Sequence, residues 1–413
     1  MSRPTVLVTD AETAPAVVVI RSLGRAGWRV VTTSWRSAPA GSWSRYTRHR
    51  FRIPSFETDA DRAVDRILTI TREENVDLVI PVTDKAAVAL LGSRHDLGGA
   101  RLATADDVAV ETARDKRQIV ELAGQLGVPT PRTEVVHDTD QAVAAAAELG
   151  YPVVIKPIRS HERVGDRAII TRSVGYAHDE AELRHRLVAP EHRGFPVLLQ
   201  ERVGGEGVGV ELLADQGRPL AAFQHRRLRQ VPLTGGMSAS RVSETLDPVL
   251  LDESVRLLAA LQWTGLAMVE YRVDAEGHHL MEINGRIWGS IALPVRAGMD
   301  FPRKLAELMT HDGIRPSEVG DGIDQSYEAG VECRNLELEL RWLTAAARHR
   351  SPTPVPWGEW WRVALGLLDP RHEFDVQMLD DVVPGVIDAF GSATRLSHDS
   401  LQRMVPELKV IRR

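Results

Sequence analysis

The residues of this chain best suited to chemistry lie within Leu266–Ser290, at short spacing: Glu270, Glu282, Asn284 and Arg286. Oxygen ligands of this kind suit Mg2+, which takes a few protein oxygens and completes its shell with phosphate and water. A guanidinium two residues further along can meet phosphate oxygens as a planar fork. The stretch therefore predicts a site for a magnesium-bound nucleotide, with phosphate between the metal and Arg286.

The same stretch predicts a β-hairpin that brings the two glutamates together. Gly277 can adopt a left-handed conformation, so Ala275–Gly277 suits a three-residue loop. A regular ladder then places Glu270 opposite Glu282, about 4.5–5.5 Å apart at Cβ, where like charges destabilise each other unless a cation lies between them. The period of two along the second strand predicts an opposite set that faces the core: Met281, Ile283 and Ile287. The alternative is a solvated hairpin face that carries Glu, Asn and Arg without any ligand.

Lysine is scarce in this chain, so two lysines in contexts that suit phosphate are informative. Lys156 ends the apolar strand Tyr151–Pro157, where Pro157 stops the ladder. Its ammonium either binds a nucleotide phosphate as a point charge or lies in water at the rim of the sheet. Lys116, within a predicted helix over 106–127, either reaches a nucleotide phosphate or is an ordinary surface lysine.

A second apolar strand, Pro196–Val203, runs into a glycine-rich turn and predicts a place for a nucleotide base. Unpaired backbone N–H and C=O groups at such a strand edge can bind a purine. Glu201 either positions this segment or accepts from the nucleotide. Glu206 either accepts ribose hydroxyls or is an exposed acid in a turn.

Two arginine-rich segments predict contacts with anions. The run His225–Arg229 is strongly basic in a chain of acidic net charge, which favours a phosphate or a substrate carboxylate. Arg226 is the catalytic candidate there, with Arg229 beside it, and a solvated charge run is the alternative. The polar segment 158–168 is predicted to be a loop whose charged residues either close over phosphates as a lid or are solvated: Arg159, His161, Arg163 and Arg167.

Composition narrows the classes of function. The chain has 413 residues, enough for two or three domains, and 43% of them are hydrophobic. A net charge of −6 argues against a general nucleic-acid binder. A single cysteine, Cys333, excludes an internal disulfide and favours a reducing compartment. No apolar run approaches the roughly 20 residues that span a bilayer, and the first residues show no signal-peptide pattern, so a cytoplasmic protein is expected.

The elements that must position these residues alternate between strand and helix over the first 110 residues, which predicts a parallel sheet. The predicted strands there are Thr5–Thr9, Arg29–Ser34 and Leu78–Val82, and the helices 13–27, 59–74 and 84–92. A polar connection is predicted at 35–50. The turn after the first strand lacks the glycines of a dinucleotide-binding loop and carries Asp10 and Glu12 instead. This part is therefore expected to support the structure or to line the substrate site.

Further along, a hairpin is predicted from Gly209–Ala214 and Pro219–Gln224, and residues 291–313 are predicted to be rich in helix. The remaining predicted helices are 138–149, 247–262, 337–349, 357–368 and one near 398–404. The sequence Gly-Asp-Gly at 320–322 indicates a domain boundary. Beyond it lies a tryptophan-containing tail to which no chemistry is assigned, since such a group is more often core than a ligand platform.

Lys156, the strand ending in Glu201 and Val203, and the pattern Glu270-x11-Glu282-x-Asn284-x-Arg286 follow one another in an order and strand context that resembles the ATP-grasp superfamily, over about residues 1–315. The resemblance implies an α/β and α+β multidomain fold. It comprises an N-terminal parallel α/β pre-ATP-grasp domain (1–110) and an ATP-grasp domain of two α+β subdomains (111–318, with a lid subdomain at about 128–200). A small C-terminal domain (319–413) of unassigned role follows.

The resemblance also implies ATP and Mg2+ as cofactors, with Mn2+ as an alternative metal. Lys116 and Lys156 would contact phosphates. Arg286 would stabilise the transferred phosphoryl group and the acyl phosphate. The remaining roles are adenine binding by Glu201 with the backbone of Arg202 and Val203, ribose binding by Glu206, and metal binding by Glu270, Glu282 and Asn284.

Two departures from the superfamily pattern bear on the reaction. The segment 158–168 is poorer in glycine than the usual lid loop. Biotin carboxylase has a similar Glu/Glu/Asn/Arg spacing, but a Glu stands four residues after its Arg, where this chain has Ser290. This difference argues against biotin carboxylation, and the chain is too short for the duplicated carbamoyl-phosphate synthase large subunit.

The function expected from these features is an ATP-dependent ligase that activates a carboxylate as an acyl phosphate and joins it to an amine, releasing ADP and phosphate. The alternatives are an ATP-dependent carboxylase that uses bicarbonate through carboxyphosphate, and a non-catalytic ATP-binding regulatory protein. The expected partners are a small-molecule carboxylate and an amine, with no nucleic acid and no membrane. A homodimer is left open.

Overall fold

The computed structural model describes residues 3–165, 168–188, 194, 196–233, 235–310, 322–348, 355–369 and 372–410, with side chains described as far as residue 396. The predicted fold class is confirmed: a parallel α/β domain precedes mixed sheets with helices packed on them. None of the helices in the described ranges is long and apolar enough to cross a bilayer.

The first domain is a parallel sheet with helices on its faces. Its strands are β1 (Thr5–Val8), β2 (Arg29–Ser34), β3 (Thr47–Arg52), β4 (Leu78–Ile80) and β5 (Arg101–Leu102). The helices α1 (Ala14–Arg25), α2 (Ala60–Glu73) and α3 (Asp84–Leu90) connect them, and the strand order is β3-β2-β1-β4-β5. The edge strand β3 lies where a connection was predicted. Its charged residues are mostly exposed, so no buried apolar pattern announced it.

The single helix predicted over 106–127 is two helices, α4 (Asp107–Arg114) and α5 (Lys116–Leu126). Asp115 separates them in an extended conformation and caps α5, because its carboxylate accepts from the backbone N–H groups of Arg117 at 3.1 Å and Gln118 at 3.4 Å. The break places Lys116 at the first position of a helix.

A four-stranded antiparallel sheet lies in the segment predicted to be the lid subdomain. Its elements are β6 (Thr133–Val136), α6 (Thr139–Leu149), β7 (Val153–Pro157), β10 (Gly175–Ala177), α7 (Glu180–Val188) and β11 (Val197–Glu201), with the strand order β10-β7-β11-β6. Between β7 and β10, the predicted loop 158–168 is instead part of a hairpin, β8 (His161–Val164) and β9 (Ala168–Thr171).

A seven-stranded sheet carries the remaining predicted site residues. Its elements are β12 (Glu206–Asp215), β13 (Arg218–Val231), β14 (Met237–Glu244), α8 (Pro248–Ala260), β15 (Gly265–Val273), β16 (His278–Asn284), α9 (Ala292–Arg296), α10 (Phe301–Thr310), β17 (Glu332–Arg334) and β18 (Glu373–Phe374). The strand order is β16-β15-β12-β13-β14-β17-β18. One face packs on α8 through residues such as Val210 and Leu257. Part of the other face packs on the first domain through Met268, Trp288 and Val8, so this face of the sheet lies towards the first domain.

The tail adds strands to this sheet and helices around it. Its helices are α11 (Leu336–Ala347), α12 (Trp357–Gly366) and α13 (Val382–Val410), and the helix predicted near 398–404 lies within α13. β17 pairs with β14. Trp342 is buried, as predicted for the tryptophan group, but Trp357 is 60% exposed and Trp361 55%. The predicted boundary near 320 falls largely outside the described residues, and the domain limits stay predictions.

Candidate active site

Glu270 and Glu282 face each other across β15 and β16. The loop that brings them together differs from the predicted one, because Val273 pairs with His278 and four residues connect the strands. A bulge that leaves Met281 unpaired restores the register at the glutamates. The expected pairing thus arises from a longer loop plus a bulge.

The bulge also changes which residues reach the core. Met281 is half-buried rather than core-facing, whereas Leu280 and Ile283 are buried among the residues that pack on α8. Ile287, beyond the strand, is buried as predicted.

The paired carboxylates are surrounded by donors that offset their repulsion. Nδ2 of Asn284 donates to Oε1 of Glu270 at 2.9 Å and to Oε1 of Glu282 at 3.3 Å. Nη2 of Arg227 lies 2.6 Å from Oε1 of Glu270, and Nζ of Lys116 lies 3.9 Å from Oε2 of Glu282. Donor side chains from three elements, β16, β13 and α5, therefore converge on one pair of acids.

Both lysines singled out by the sequence belong to this cluster. Nζ of Lys116 also donates to Oγ of Ser160 at 3.0 Å. Burial lowers the pKa of Lys156 to about 8, and the nearby carboxylates of Glu282 and Glu270 oppose that shift. Burial by itself raises the pKa of Glu282, but the two ammonium groups outweigh it and hold that pKa below its usual range. The lysines and the carboxylates thus stabilise each other's charged forms.

Arg286 joins this cluster to the first domain. Its Nε donates to Oδ2 of Asp84 at 2.8 Å, and its Nη2 donates to Oδ1 of Asn284 at 3.3 Å. Burial raises the pKa of the Asp84 carboxyl, yet Arg286 and His161 outweigh burial and hold this pKa below its usual range. Asp84 was not predicted from the sequence as a site residue. It begins α3, four positions after the end of β4, at the carboxyl edge of a parallel sheet, where ligands of such folds bind.

The basic run on β13 divides between the two faces of the sheet. Arg227 points to the carboxylate pair, whereas Arg226 is on the opposite face and pairs with Glu244 at 2.5 Å and Glu206 at 3.2 Å. Arg229 pairs with Glu339 of the tail at 2.7 Å. Arg227 rather than Arg226 therefore lies at the carboxylate pair, and the catalytic role predicted for Arg226 stays a prediction. The predicted hairpin ended at Gln224, so the period of two was not carried into the basic run.

The segment expected to meet adenine lies at the end of β11. Both carboxylate oxygens of Glu201 are engaged by Arg132, one by its backbone N–H and one by its Nε, each at 2.7 Å. This contact favours the positioning role for Glu201. Arg202 and Val203 follow outside any strand, and Glu206 is exposed at the start of β12. The roles of Glu201, Arg202, Val203 and Glu206 in binding a nucleotide stay predictions.

The β8–β9 hairpin lies against the first domain rather than over open solvent. Ile169 is buried in the first domain's core, its N–H donates to the carbonyl oxygen of Phe56 at 3.1 Å, and Arg163 forms an ion pair with Asp61. Nε2 of His161 lies 3.7 Å from Oδ2 of Asp84. The other residues proposed for the lid are Arg159, which lies 3.4 Å from Glu111, and Arg167, which lies outside the described residues.

The donor set fits a divalent cation that arrives with its own oxygens. Within the described ranges no group of three or more His, Cys, Asp or Glu side chains is placed to hold a metal. The carboxylates of Glu270 and Glu282 and the amide of Asn284 would supply three oxygens, and phosphate and water the others. Asn284 turns its NH2 group to the carboxylates and its oxygen to Arg286, so the amide must rotate to act as a ligand.

Comparison with protein families finds two matches in this region. Residues 195–331 match the model described as "ATP-grasp in the biosynthetic pathway with Ter operon", and residues 107–164 match the model "ATP-grasp domain". Among curated proteins, the carbamoyl phosphate synthase large chain of Clostridium acetobutylicum is 22% identical over 273 residues, which are 63% of this chain and 24% of that protein. The chain spans about a quarter or less of the length of the curated relatives it matches.

Solved structures with a similar fold include a carboxylase and a ligase. The biotin carboxylase domain of the Hydrogenobacter thermophilus 2-oxoglutarate carboxylase, solved with MgADP, ADP and bicarbonate, aligns with a TM-score of 0.60 and 18% identity over 80% of this chain and 74% of that one. The L-amino acid ligase from Bacillus licheniformis aligns with a TM-score of 0.58 and 17% identity over 77% of each chain. At these identities the likeness concerns the fold alone.

Proposed function

The chain has the ATP-grasp superfamily fold, and from this premise we propose that it is an ATP-dependent ligase that joins a carboxylate to an amine. The carboxylate is activated as an acyl phosphate, and ADP and phosphate are released. The observation that carries the proposal is the convergence of Lys116, Lys156, Arg227 and Asn284 on the paired carboxylates of Glu270 and Glu282. Such a cluster suits a polyphosphate that brings a cation.

In this reaction the chain's main work is to position charge. Lys116 and Lys156 bind ATP phosphates, and the segment from Glu201 to Val203 binds adenine, with Glu206 near the ribose. Glu270, Glu282 and Asn284 would hold Mg2+, or Mn2+ in its place, and the cation would neutralise phosphate charge. The oxygen of Asn284 now accepts from Nη2 of Arg286, and an amide rotated to act as a ligand would leave Nη2 free for the transferred phosphate.

Asp84 positions Arg286 for that task. The guanidinium is held through Nε by Asp84 and through Nη1 by the carbonyl oxygen of Ile287 at 3.1 Å. With these contacts in place, the Nη2 edge is oriented towards the carboxylate cluster. The β8–β9 hairpin, docked on the first domain, keeps water from the acyl phosphate.

A second candidate is ATP-dependent carboxylation with bicarbonate, and one contact favours it. Ser290 stands where biotin carboxylase has a Glu, but Oγ of Ser290 donates to Oε1 of Glu211 at 3.1 Å, so β12 supplies a carboxylate at this place. ADP formation that depends on bicarbonate, and that amines do not stimulate, would favour this candidate.

The test is a screen for ADP release with Mg-ATP over paired carboxylic acids and amines, with mass spectrometry of the product. Amide formation in step with ADP release is the expected outcome. Tight Mg-ATP binding without ADP release over broad pools of acids and amines would contradict the ligase and favour a regulatory ATP-binding protein.

A further inference from the structure

A second polar pair lies on the same face of the seven-stranded sheet as the carboxylates. Along one cross-strand row the register places Glu282, Glu270, Gly209 and His225 on β16, β15, β12 and β13. Glu211 is two residues from Gly209 on β12 and therefore shares this face. Glu211 and His225 are both 0% exposed.

The two side chains contact each other and leave polar atoms without partners. Nδ1 of His225 lies 3.0 Å from Oε1 of Glu211, close but not aligned as a hydrogen bond, and the same oxygen accepts from Ser290. Oε2 of Glu211 and Nε2 of His225 have no hydrogen-bond partner among the described residues. A buried polar atom without a hydrogen-bond partner destabilises the folded state, so the pair is poorly explained as a structural feature.

Glycine at 209 is what allows the pair to approach Glu270. A Cβ at this position would lie 2.4 Å from Cε1 of His225, so the imidazole lies over Gly209, between Glu211 and the strand of Glu270. Adjacent strands are about 4.8 Å apart, which puts the backbones of β13 and β15 about 10 Å apart with only one imidazole between them in this row. The unpartnered atoms of Glu211 and His225 are thus close to the carboxylate pair of Glu270 and Glu282.

We propose that Glu211 accepts the proton of the attacking amine, directly or through one water molecule, and that His225 positions the carboxylate for this step. The proposal rests on the ligase function described above and extends it to the amine half of the reaction. An amine reaches the site as an ammonium ion, which is not a nucleophile.

In this step, Oε2 of Glu211 takes one proton from the ammonium, and the freed lone pair of the amine nitrogen attacks the acyl carbon. The C–N bond forms, the bond from carbon to the phosphate oxygen breaks, and phosphate leaves with the electron pair. The second N–H proton passes to the departing phosphate, and Glu211 returns its proton to water.

The electrostatics of the pair agree with this assignment. Burial raises the pKa of Glu211 well above its usual value, while burial and the nearby guanidinium groups lower the pKa of His225 to about 3, so the imidazole is neutral. The charged or titratable groups that face Glu211 from the elements around it are Glu270 on β15, His225 and Arg227 on β13, Arg241 on β14, and Tyr327. A carboxylate of raised pKa is a suitable base near neutral pH.

The experiment compares two nucleophiles in the full-length protein. Hydroxylamine is weakly basic and unprotonated near neutral pH, so it attacks an acyl phosphate without a base. Carboxylates are offered as the mixed proteinogenic amino acids, with and without added hydroxylamine, and hydroxamate and dipeptide are both measured. Glu211→Gln should lower dipeptide formation by about 10²-fold or more while hydroxamate formation changes little. His225→Gln should lower dipeptide formation less.

A matched control is available in the same domain. Glu253 is also a buried glutamate with a histidine partner, since Nε2 of His278 lies 2.9 Å from its Oε2, but this pair lies on the α8 side of the sheet. Glu253→Gln should leave both products unchanged. Glu211→Gln should also flatten the acidic limb of the pH profile for dipeptide formation, which a merely structural role would not do.

The outcomes separate this proposal from the ligase function. Wild-type protein that forms neither hydroxamate nor dipeptide would refute the ligase and, with it, the role of Glu211. Wild-type protein that forms both, with a Glu211→Gln variant that forms dipeptide at an equal rate, would refute the proton acceptor alone. Equal loss of both products in that variant would also refute it, because the acyl phosphate itself would then be affected.

Discussion

At the scale of single residues, the cluster around Glu270 and Glu282 is a balance of charges, in which neighbouring groups stabilise each other's charged forms. Two opposed carboxylates repel each other, and a buried ammonium such as Lys156 loses charge unless an anion is near. Here the carboxylates favour the charged form of Lys156, the lysine ammonium groups favour the charged form of Glu282, and Asn284 donates hydrogen bonds to both acids. A site of this kind already holds cations and anions in place before a nucleotide enters, which reduces reorganisation during the reaction.

The first prediction concerns Glu282. We expect Glu282→Gln to abolish ADP release and to weaken Mg-ATP binding by at least about tenfold, because the neutral amide removes one hard anionic ligand and the partner of two lysines. Calorimetric titration and the ADP-release assay measure the two effects. Glu253→Gln is the control for loss of a buried carboxylate, and a Glu282→Gln variant with full turnover would remove the metal assignment.

The second prediction concerns pH. The pKa of Lys156 is about 8 in the free protein, so its ammonium is charged below this pH and becomes neutral above it. Bound phosphate favours the charged form, and ATP binding above pH 8 therefore takes up a proton. The affinity for ATP should fall as the pH rises beyond about 8, by up to about tenfold per unit.

Binding titrations from about pH 7 to pH 9 check this expectation. Lys156→Met should bind ATP more weakly and without this pH dependence, whereas Lys304→Met, which removes a lysine paired with Asp324 outside the cluster, should behave as the wild type. An unchanged nucleotide affinity in Lys156→Met would show that Lys156 does not contact phosphate.

At the scale of elements, the period of two along β13 and the docking of the β8–β9 hairpin decide which charges lie near the carboxylate pair and Asp84. Arg226 and Arg227 are neighbours in sequence, yet one pairs with Glu244 and the other with Glu270. The hairpin is tied to the first domain by the apolar side chain of Ile169 with its backbone hydrogen bond to Phe56, and by the contacts of Arg163 with Asp61 and of His161 with Asp84. Exposed ion pairs contribute about 0–1 kcal/mol each, so Ile169 is the main attachment.

The third prediction tests this attachment. Burial of one isoleucine stabilises by about 1.5–3 kcal/mol, so Ile169→Ala should shift the lid towards its open form. Water would then reach the acyl phosphate, and ADP release without amide should rise relative to coupled turnover. The ratio of ADP to amide measures this, with Ile170→Ala, a half-buried neighbour, as the control. Equal coupling in the two variants would contradict the role of the hairpin as a lid.

At the scale of the whole molecule, the tail holds the first domain and the large sheet together. Arg21 on α1 donates from Nε to Oδ2 of Asp381 at 2.9 Å, and both side chains are buried. Asp381 also accepts from Oγ of Ser44 at 2.7 Å. On the other side, Arg241 of β14 forms a buried ion pair with Asp375. Residues at both ends of the chain thus contribute to the frame that positions Asp84 against Arg286.

The fourth prediction uses two adjacent aspartates. Asp381→Ala leaves Arg21 buried without its anion, which typically costs about 3–5 kcal/mol. Asp380→Ala removes only the solvent-exposed partner of Arg25, worth about 0–1 kcal/mol. Urea unfolding should separate the two variants by at least about 2 kcal/mol, and equal stabilities would show that the buried pair does not anchor the tail.

Much of the architecture follows from the sequence because helices, strands and their ends depend on nearby residues. Short apolar runs predicted β1, β2, β4, β7 and β11, and the spacing of Glu270 and Glu282 predicted their pairing. The cap at Asp115 was also a local signal, although it was not recognised. By contrast, β3 and the β8–β9 hairpin have little apolar patterning. Their strands form by pairing with a neighbour, β3 with β2 and β8 with β9.

The sequence by itself determined which residue types could bind a nucleotide phosphate and that two acids would face each other on one hairpin. Only the tertiary structure decided that Arg227 rather than Arg226 meets Glu270, that Asp84 holds Arg286 from 202 positions away, and that Glu211 lies against Ser290. The reason is the range of the forces involved. Turn chemistry and side-chain periodicity act over a few residues, whereas the face that is buried, and the charges that meet there, depend on how distant elements pack.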